Sequence, residues 1–397
     1  MGKHEIIHAA IFTPISYDRW GLPLLFRGDP GVGKTSVFKD VAAGAGLACE
    51  VLSPGERGEG AFGVTPVPNA DASLLRYPPP DWTARMPHRG FVLLDEMSSC
   101  PPALQPVLLG MIQERVVGGY RLPGGVRVMG TANSTEQAAG GWDLAMPVAN
   151  RLGHLRWDCP STADWADWLL GLGGGKATQA QAEVGAEAEE ARVLGAWQTP
   201  WARARAFTSG FLSRRPDLML KCPLPTDPAA SAAWPSPRSW ENATRAYASA
   251  LVHKLSEIDR DTLVAAFIGD GAAGELVTWI EATDLPDPVE ILSGANKWKP
   301  DVRRLDITNA VLASCTAMVV SEKPGARRKA WAEKLWEILA TVAEDAADQV
   351  EGPVRIMCKP ENNLLSAGGV KALAKLKPIL DAMAEVAKLA ESSSRKK

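Results

Sequence analysis

The most constraining run in this chain is Gly28-Asp29-Pro30-Gly31-Val32-Gly33-Lys34-Thr35, which fits the pattern G-x-x-x-x-G-K-[ST]. It lies between an apolar run at 22–27 that predicts a strand and an amphipathic stretch at 34–43 that predicts a helix. In that setting the glycines let the backbone curl until successive N–H groups converge on one phosphate, beside the positive end of the helix. Lys34 is then placed to neutralise β and γ oxygens, and the Thr35 hydroxyl to ligate Mg²⁺. Ser36 belongs to the same nucleotide-contacting stretch. An accidental glycine-rich turn would need neither flanking element.

The neighbouring segments repeat the strand–helix alternation of an α/β fold. A second strand is expected at 48–52, followed by an irregular excursion rich in Gly and Pro over 53–86. Phe91-Val92-Leu93-Leu94 is apolar throughout, as a parallel strand covered on both faces requires, and it runs into Asp95 and Glu96. That pair follows the glycine-rich loop by about 60 residues, a spacing that sets Asp95 beside a Mg²⁺ shell and leaves Glu96 to orient and deprotonate an attacking water. The plainer alternative is that both carboxylates cap the next helix. A helix is expected over 102–113 with Leu104, Leu108, Leu109 and Ile112 on one face, then a small hairpin turning at Gly118-Gly119. A strand at 126–130 ends in Thr131-Ala132-Asn133. Asn133 alone would read as a turn former, but after the two earlier motifs a neutral amide at that edge is suited to hold the lytic water.

From residue 161 the character becomes helical. A glycine break at 171–175 precedes an alanine- and glutamate-rich polar helix or linker at 179–192. Helical spacing recurs in Leu251, Leu255 and Ile258, in Leu305, Val311, Leu312 and Cys315, and in Trp331, Leu335, Ile338 and Val342. Pro378 is expected to open a last helix carrying Ile379, Met383 and Val386. The expected divisions are an α/β nucleotide-binding domain at 1–160, a linker with a polar helix at 161–196, a helical lid at 197–255, a further helical region at 256–391 and a disordered tail at 392–397. At roughly 100–200 residues per domain, 397 residues accommodate this.

Composition narrows the function classes. A formal charge of −3 and a pI near 6.0 give no global attraction to nucleic acid. Six scattered cysteines without C-x-x-C suit reduced thiols in a cytoplasmic protein better than a disulfide framework or a zinc knuckle. No uninterrupted apolar stretch approaches the ~18–20 residues of a membrane span, and Asp18 and Arg19 interrupt any secretory leader.

The motifs in this order resemble those of AAA+ ATPases, and more narrowly the MoxR-type branch, whose members are commonly hexameric remodelling ATPases working with von Willebrand factor A-domain partners. The matching pieces are the loop from Gly28 to Thr35, the acidic run ending in Asp95 and Glu96, and Asn133 as sensor 1. Leu108-Leu109-Gly110-Met111-Ile112-Gln113-Glu114-Arg115, leading into the Gly118-Gly119 hairpin, resembles the helix and pre-sensor hairpin of that branch. Gly60-Ala61-Phe62-Gly63 with Pro66 and the prolines at 78–80 resembles its insertion after the second strand. Ala149-Asn150-Arg151-Leu152 resembles the arginine-finger segment, Pro235-Ser236-Pro237-Arg238-Ser239-Trp240 the sensor-2 start of a lid helix, and Asp287-Pro288-Val289-Glu290 a segment after the lid.

The likeness spans roughly residues 20–320. It implies an α/β P-loop AAA+ domain (a parallel sheet between helices, with β-hairpin insertions), followed by a helical lid and a further C-terminal helical region. It also implies ATP and Mg²⁺ as ligands, a ring of like subunits, and a protein client. Arg151 would reach the γ-phosphate held by the neighbouring subunit, a contact worth ~10³–10⁵ in rate, with Arg156 as its competitor. Arg238 would contact ATP from the lid, in its own subunit or the next. An ATP-gated scaffold with little turnover is the alternative, and a nucleic-acid motor a weaker one, since the hairpin flanks offer only Arg115 and Arg121.

Other runs read more plainly. His4-Glu5-Ile6-Ile7-His8 matches the zinc-protease pattern H-E-x-x-H, but it stands at the terminus without the extended motif, so packing histidines are the better reading. Asn296-Lys297-Trp298-Lys299 lacks the Asp of a guanine-reading N-K-x-D motif, which leaves ATP favoured over GTP. The tryptophans, among them Trp165, Trp168, Trp201, Trp234 and Trp240, read as lid and interface packing, because no basic stripe accompanies them. Arg327-Arg328-Lys329 and the run 183–190 read as solvated faces.

Overall fold

The computed structural model describes residues 2–394, apart from Tyr17, Val64, 134–140, 171–178, Asp284 and Val302. The chain forms two compact units, Met1–Trp197 with Asp217–Glu275, and Gln198–Pro216 with Leu276–Lys397. The segment expected as the lid is therefore shared, its first 19 residues after Trp197 belonging to the second unit and the remainder to the first.

The first unit opens with α1 (Gly2–Ile11), β1 (Leu24–Arg27), α2 (Lys34–Gly44) and β2 (Ala48–Leu52). It continues through α3 (Pro54–Arg57), the two-residue strands β3 (Val67–Pro68) and β4 (Leu75–Arg76), and β5 (Arg89–Leu94). Then come α4 (Gln105–Leu109), the hairpin β6 (Val116–Val117) and β7 (Tyr120–Arg121), β8 (Gly125–Ala132), α5 (Met146–Ala149) and β9 (Gly153–Arg156). The helices that follow are α6 (Thr162–Leu169), α7 (Gln179–Ala196), α8 (Gln198–Arg214), α9 (Pro237–His253), α10 (Glu257–Glu281), α11 (Pro288–Ser293), α12 (Leu305–Ser321), α13 (Ala326–Val342), α14 (Ala347–Met357) and α15 (Val370–Ser394).

Five strands make one parallel sheet in the order β2-β5-β8-β1-β9. A parallel sheet must be covered on both faces, and side-chain alternation supplies both covers. Leu25, Val92, Leu94, Val126 and Val128 join Leu104, Leu108 and Val148 in one core. Phe26 and Phe91 turn the other way, toward Phe38 of α2, with ring centroids 4.8 and 5.7 Å apart. This is the expected α/β architecture, followed by helical regions.

Several local expectations change. The helix predicted over 102–113 is α4 followed by a single π turn at Gly110–Glu114, closed by Arg115 at φ +58°. Leu251, Leu255 and Ile258 do not share a helix, because Lys254 at φ +55° ends α9. Pro378 lies inside α15 instead of opening it, and that helix runs to Ser394, into the segment expected as tail. Gly118 alone of the hairpin's two glycines takes a positive φ, +55°. A Cβ on it would also lie 2.8 Å from Pro78 O, so the hairpin lies hard against the 53–86 excursion. By length and composition α10 could cross a membrane, but half of that window is buried inside the protein and Gly269 breaks it at φ +78°.

The second unit gathers around α12, whose Val311, Leu312, Cys315 and Val319 meet Leu335, Trp336 and Leu339 of α13 and Val350 and Val354 of α14. Helix α8 packs on α12 at Gly210, where a Cβ would lie 2.9 Å from that of Ala310. Arg328, expected on a solvated face, donates from Nε to Val319 O at 3.0 Å and so caps the end of α12.

Candidate active site

Strand β1 delivers the glycine-rich loop and α2 receives it. The Gly28 N–H donates to Ala132 O at 3.3 Å, and the Trp157 N–H to Arg27 O at 2.6 Å, so the loop leaves the sheet at a fixed point. Gly28 has no room for a side chain, since a Cβ would lie 2.0 Å from Trp157 O. Gly31 and Gly33 are glycines for another reason. Their φ angles are +81° and +86°, and a Cβ on either would meet only open space. Asp29, Pro30 and Ser36 are exposed around that opening, and Val32 O accepts from Trp157 Nε1 at 3.4 Å.

Lys34 is the buried cation of the site. Its Nζ donates to Gly28 O at 2.7 Å, Asp29 O at 2.8 Å and Asn133 Oδ1 at 2.7 Å, which uses all three ammonium protons. Burial lowers its pKa, and the negative charges of Glu96, Asp95 and Asp29 oppose that shift. Two of the three acceptors are carbonyls of the loop itself, which phosphate oxygens can replace.

The acidic pair joins the same network. Thr35 Oγ1 donates to Asp95 Oδ1 at 2.9 Å, and Thr131 Oγ1 donates to the same oxygen at 2.5 Å. The Glu96 N–H donates to Thr131 Oγ1 at 3.0 Å, while Asn133 Nδ2 donates to Glu96 Oε1 at 2.7 Å. The amide of Asn133 therefore bridges an ammonium and a carboxylate, its oxygen toward the cation and its NH₂ toward the anion. The reverse orientation would set like polarity against like. Glu96 itself sits at φ 55°, ψ 53°, a left-handed geometry that costs a non-glycine residue about 1–2 kcal/mol. Strain of this kind persists where surrounding bonds over-determine it.

The structure thus brings Lys34, Thr35, Asp95, Glu96 and Asn133 into one hydrogen-bonded cluster at the carboxyl edge of the sheet. Open glycine geometry beside a buried lysine fits a polyphosphate. The Thr35 hydroxyl with the Asp95 carboxylate offers the hard oxygen donors that Mg²⁺ takes. Sequence reasoning assigned no role to Thr131, Ser98 or Trp157. Thr131 is on β8, two residues before Asn133, which follows the strand's end, and Ser98 Oγ accepts from the Asn133 N–H at 3.1 Å.

Arg151 and Arg238 lie elsewhere. Arg151 precedes β9, whose first residue Gly153 pairs with Leu24, the start of β1, whereas the loop leaves from the end of β1. It is therefore at the opposite edge of the sheet from its own loop. Its Nε donates to Gln113 Oε1 and its Nη1 to Pro147 O at 2.6 Å. Burial lowers its pKa, and the charge of Arg238 lowers it further, so the two guanidinium groups are electrostatic neighbours. Arg238 is exposed on the first turn of α9, which opens with a Ser236–Ser239 capping box. Ser236 Oγ also donates to Asn150 Oδ1 at 2.7 Å, and Asn150 Nδ2 to Trp234 O at 3.0 Å. Asn150 in this way clamps the start of α9 to the segment carrying Arg151. Arg156, the competitor, ends β9 on the loop's own edge and pairs with Asp158 at 2.8 Å.

Three further expectations change here. Arg115 is fully buried, donating to Val126 O and, at 3.2 Å, to Trp20 O, and burial pulls its pKa down to about 9. It is no flank for a nucleic acid, which leaves Arg121. Glu190, expected on a solvated face, is buried and pairs with Arg127 at 2.6 Å and Arg89 at 3.0 Å. Trp240 is buried, with its Nε1 donating to Leu218 O at 2.8 Å, but Trp165 and Trp168 stand about half exposed on α6.

No family model and no curated protein matches the chain. Among solved structures it is similar to a candidate ATPase from Cytophaga hutchinsonii, at 14% identity and a TM-score of 0.43, over 71% of this chain and 88% of that one. A likeness at that level carries no residue-by-residue correspondence.

Proposed function

We propose that this chain is an Mg·ATP-hydrolysing AAA+ motor of the MoxR type. ATP held in one protomer's loop would be met by arginines of the next, and the ring, six-membered in the family it resembles, would remodel a protein client or activate a partner complex. The observation that carries the reading is the bridge from Lys34 through Asn133 to Glu96. One neutral amide there joins a phosphate-binding cation to a carboxylate able to take a proton from water. Lys34 exchanges its loop carbonyls for β and γ oxygens. Glu96 accepts the proton of the attacking water, and Asn133 keeps that carboxylate aimed. Thr35 and Asp95 would hold Mg²⁺, whose charge would offset the negative charge of the β and γ phosphates.

Arg151 and Arg238, neighbours at the sheet edge opposite their own loop, suit ATP bound by an adjoining protomer. A von Willebrand factor A-domain partner and a cytoplasmic setting belong to the same reading. The burial of Arg115 counts against a nucleic-acid motor. A scaffold that binds without turnover needs neither Glu96 nor Asn133.

The test is Mg²⁺-dependent phosphate release measured across protein concentration, beside Glu96→Gln. Release per subunit that rises with concentration, and ATP trapped by the variant, support the motor. ATP-dependent assembly without release supports the scaffold. Neither release nor trapping at any concentration refutes both.

A further inference from the structure

Away from the phosphate cradle, one cluster of ligating side chains among the described residues has no part in that chemistry. His8 of α1, Glu189 of α7 and His253 of α9 each bring a ligand atom to within 4.8 Å of the others. The two imidazoles meet edge to face with centroids 5.3 Å apart, and His253 Nδ1 lies 3.7 Å from Glu189 Oε1. The His253 side chain is 6% exposed, and its Nε2 is buried without a hydrogen-bond partner. Ring packing accounts for part of this, since His8 also contacts Phe12 at 4.8 Å. It does not account for a carboxylate converging on two imidazoles, nor for an unpaired buried ring nitrogen.

We propose that His8, Glu189 and His253 form a site for a divalent transition metal of the zinc class, which ties α1, α7 and α9 together. Two imidazoles and one carboxylate, with water completing the shell, are a donor set such ions take. Metal–ligand bonds of about 2.0–2.2 Å place tetrahedral donors roughly 3.3 Å apart, so closure from 4.8 Å asks a movement of about 1.5 Å shared among three side chains. Burial holds both imidazoles below their ordinary range, His253 at about 4. Each therefore offers a lone pair at neutral pH without first losing a proton.

Arg192 is the cation facing this cluster. Its Nε and Nη2 donate to the two oxygens of Glu189 at 2.7 Å each, and Nη2 lies 3.3 Å from His253 Nδ1. It balances the carboxylate in the absence of an ion and competes with one for the same lone pairs. The H-E-x-x-H run contributes His8 alone, for His4 and Glu5 are exposed.

The full chain, stripped with EDTA, is titrated with Co²⁺ while Mg²⁺ and ADP occupy the phosphate cradle. Binding is read by visible d–d absorption, and Zn²⁺ by its displacement of Co²⁺. We expect one Co²⁺ per chain with the strong absorption of a low-coordinate site. His8→Ala, His253→Gln and Glu189→Gln each weaken binding at least ~10-fold, His4→Ala leaves it unchanged, and Arg192→Gln binds as tightly or more tightly. Circular dichroism of each variant separates lost ligation from lost folding. Absorption no stronger than that of aqueous Co²⁺ overturns the proposal. So does binding that survives the folded His8→Ala/His253→Gln double variant, or that disappears in Thr35→Ala.

Discussion

Replacing Asn133 by alanine removes two charge-assisted hydrogen bonds at once, the 2.7 Å bond accepted from Lys34 and the 2.7 Å bond donated to Glu96. Their losses differ in consequence. Lys34 keeps Gly28 O and Asp29 O, at 2.7 and 2.8 Å, so the cradle survives and nucleotide affinity changes little. Glu96 loses the donor that aims its carboxylate. A hydrogen bond to a charged group contributes ~1.5–3 kcal/mol. If aiming the Glu96 carboxylate is worth that much more in the transition state than in the ground state, its loss at ~1.4 kcal/mol per decade lowers kcat by ~10–150-fold. KM stays within about threefold, because the phosphate contacts are spared. Asn133→Asp is the sharper variant, since it sets a carboxylate against Glu96 where an NH₂ stood. It retains attraction for Lys34 and should turn over more slowly than the alanine variant. Steady-state phosphate release with a separate nucleotide titration reads both terms. A rise in KM by the factor assigned to kcat, with kcat intact, would show that the amide binds substrate. Alanine and aspartate variants both within twofold of the parent would show that it does neither.

Four other outcomes follow from the same geometry. Glu96→Gln should lower turnover by ~10²–10⁴-fold while retaining ATP, read by phosphate release beside a nucleotide titration. Arg151→Ala and Lys34→Ala, each inactive alone, should regain turnover when mixed; absence of rescue in mixed assemblies would mean that Arg151 serves its own protomer. Glu190→Leu strands Arg127, whose side chain is fully buried, and should cost ~3–5 kcal/mol by chemical denaturation, most of it recovered when Arg127→Met is added. In EDTA, acid should destabilise the fold from about pH 6.5 down to about 4 through His253 and on to about 3 through His154: burial depresses His253 to about 4 and His154 to about 3 from 6.5, so the unfolded chain binds more protons as pH falls, with a slope of up to ~1.4 kcal/mol per pH unit for each, and His154→Gln should flatten its share.

The cradle and its acidic partners were legible because each is a chemical type placed where an apolar run stops. Loop, carboxylates and amide all lie at strand ends, and parallel strands put those ends on one edge. Thr131 was not legible. A threonine in a mixed strand is ordinary until β8 is known to lie between β5 and β1, and strand order is not written in hydrophobic period. Strand β9 was missed for a related reason. Gly153-His154-Leu155-Arg156 has no apolar run, and it pairs because Gly153 leaves room for Leu24 and Phe267, where a Cβ would come within 2.8 Å of both. Helical period likewise marks which face of the segment after Trp197 is buried, but not against which core, so its first helix could not be assigned to the second unit.

The misreading of α7 is the instructive one, because a signal was present. An alanine- and glutamate-rich helix with little apolar patterning reads as solvated, yet Arg127 stands in the apolar strand Gly125-Val126-Arg127-Val128-Met129. A charge inside a parallel strand has no water to face, and burying it alone costs far more than a fold can spare. Some acidic residue outside the sheet therefore has to come to it. Glu190 does so at 2.6 Å and takes Arg89, on the neighbouring strand β5, as a second partner at 3.0 Å. That requirement helps to dock α7, whose buried face otherwise offers only the small apolar contacts of Ala186 and Val193, and it brings Glu189, one residue earlier, beside His253. Glu190→Leu removes the docking charge of a buried pair and should be felt chiefly in stability, whereas Glu189→Gln leaves Arg127 paired, weakens only a half-exposed pair with Arg192, and should be felt mainly in ion binding.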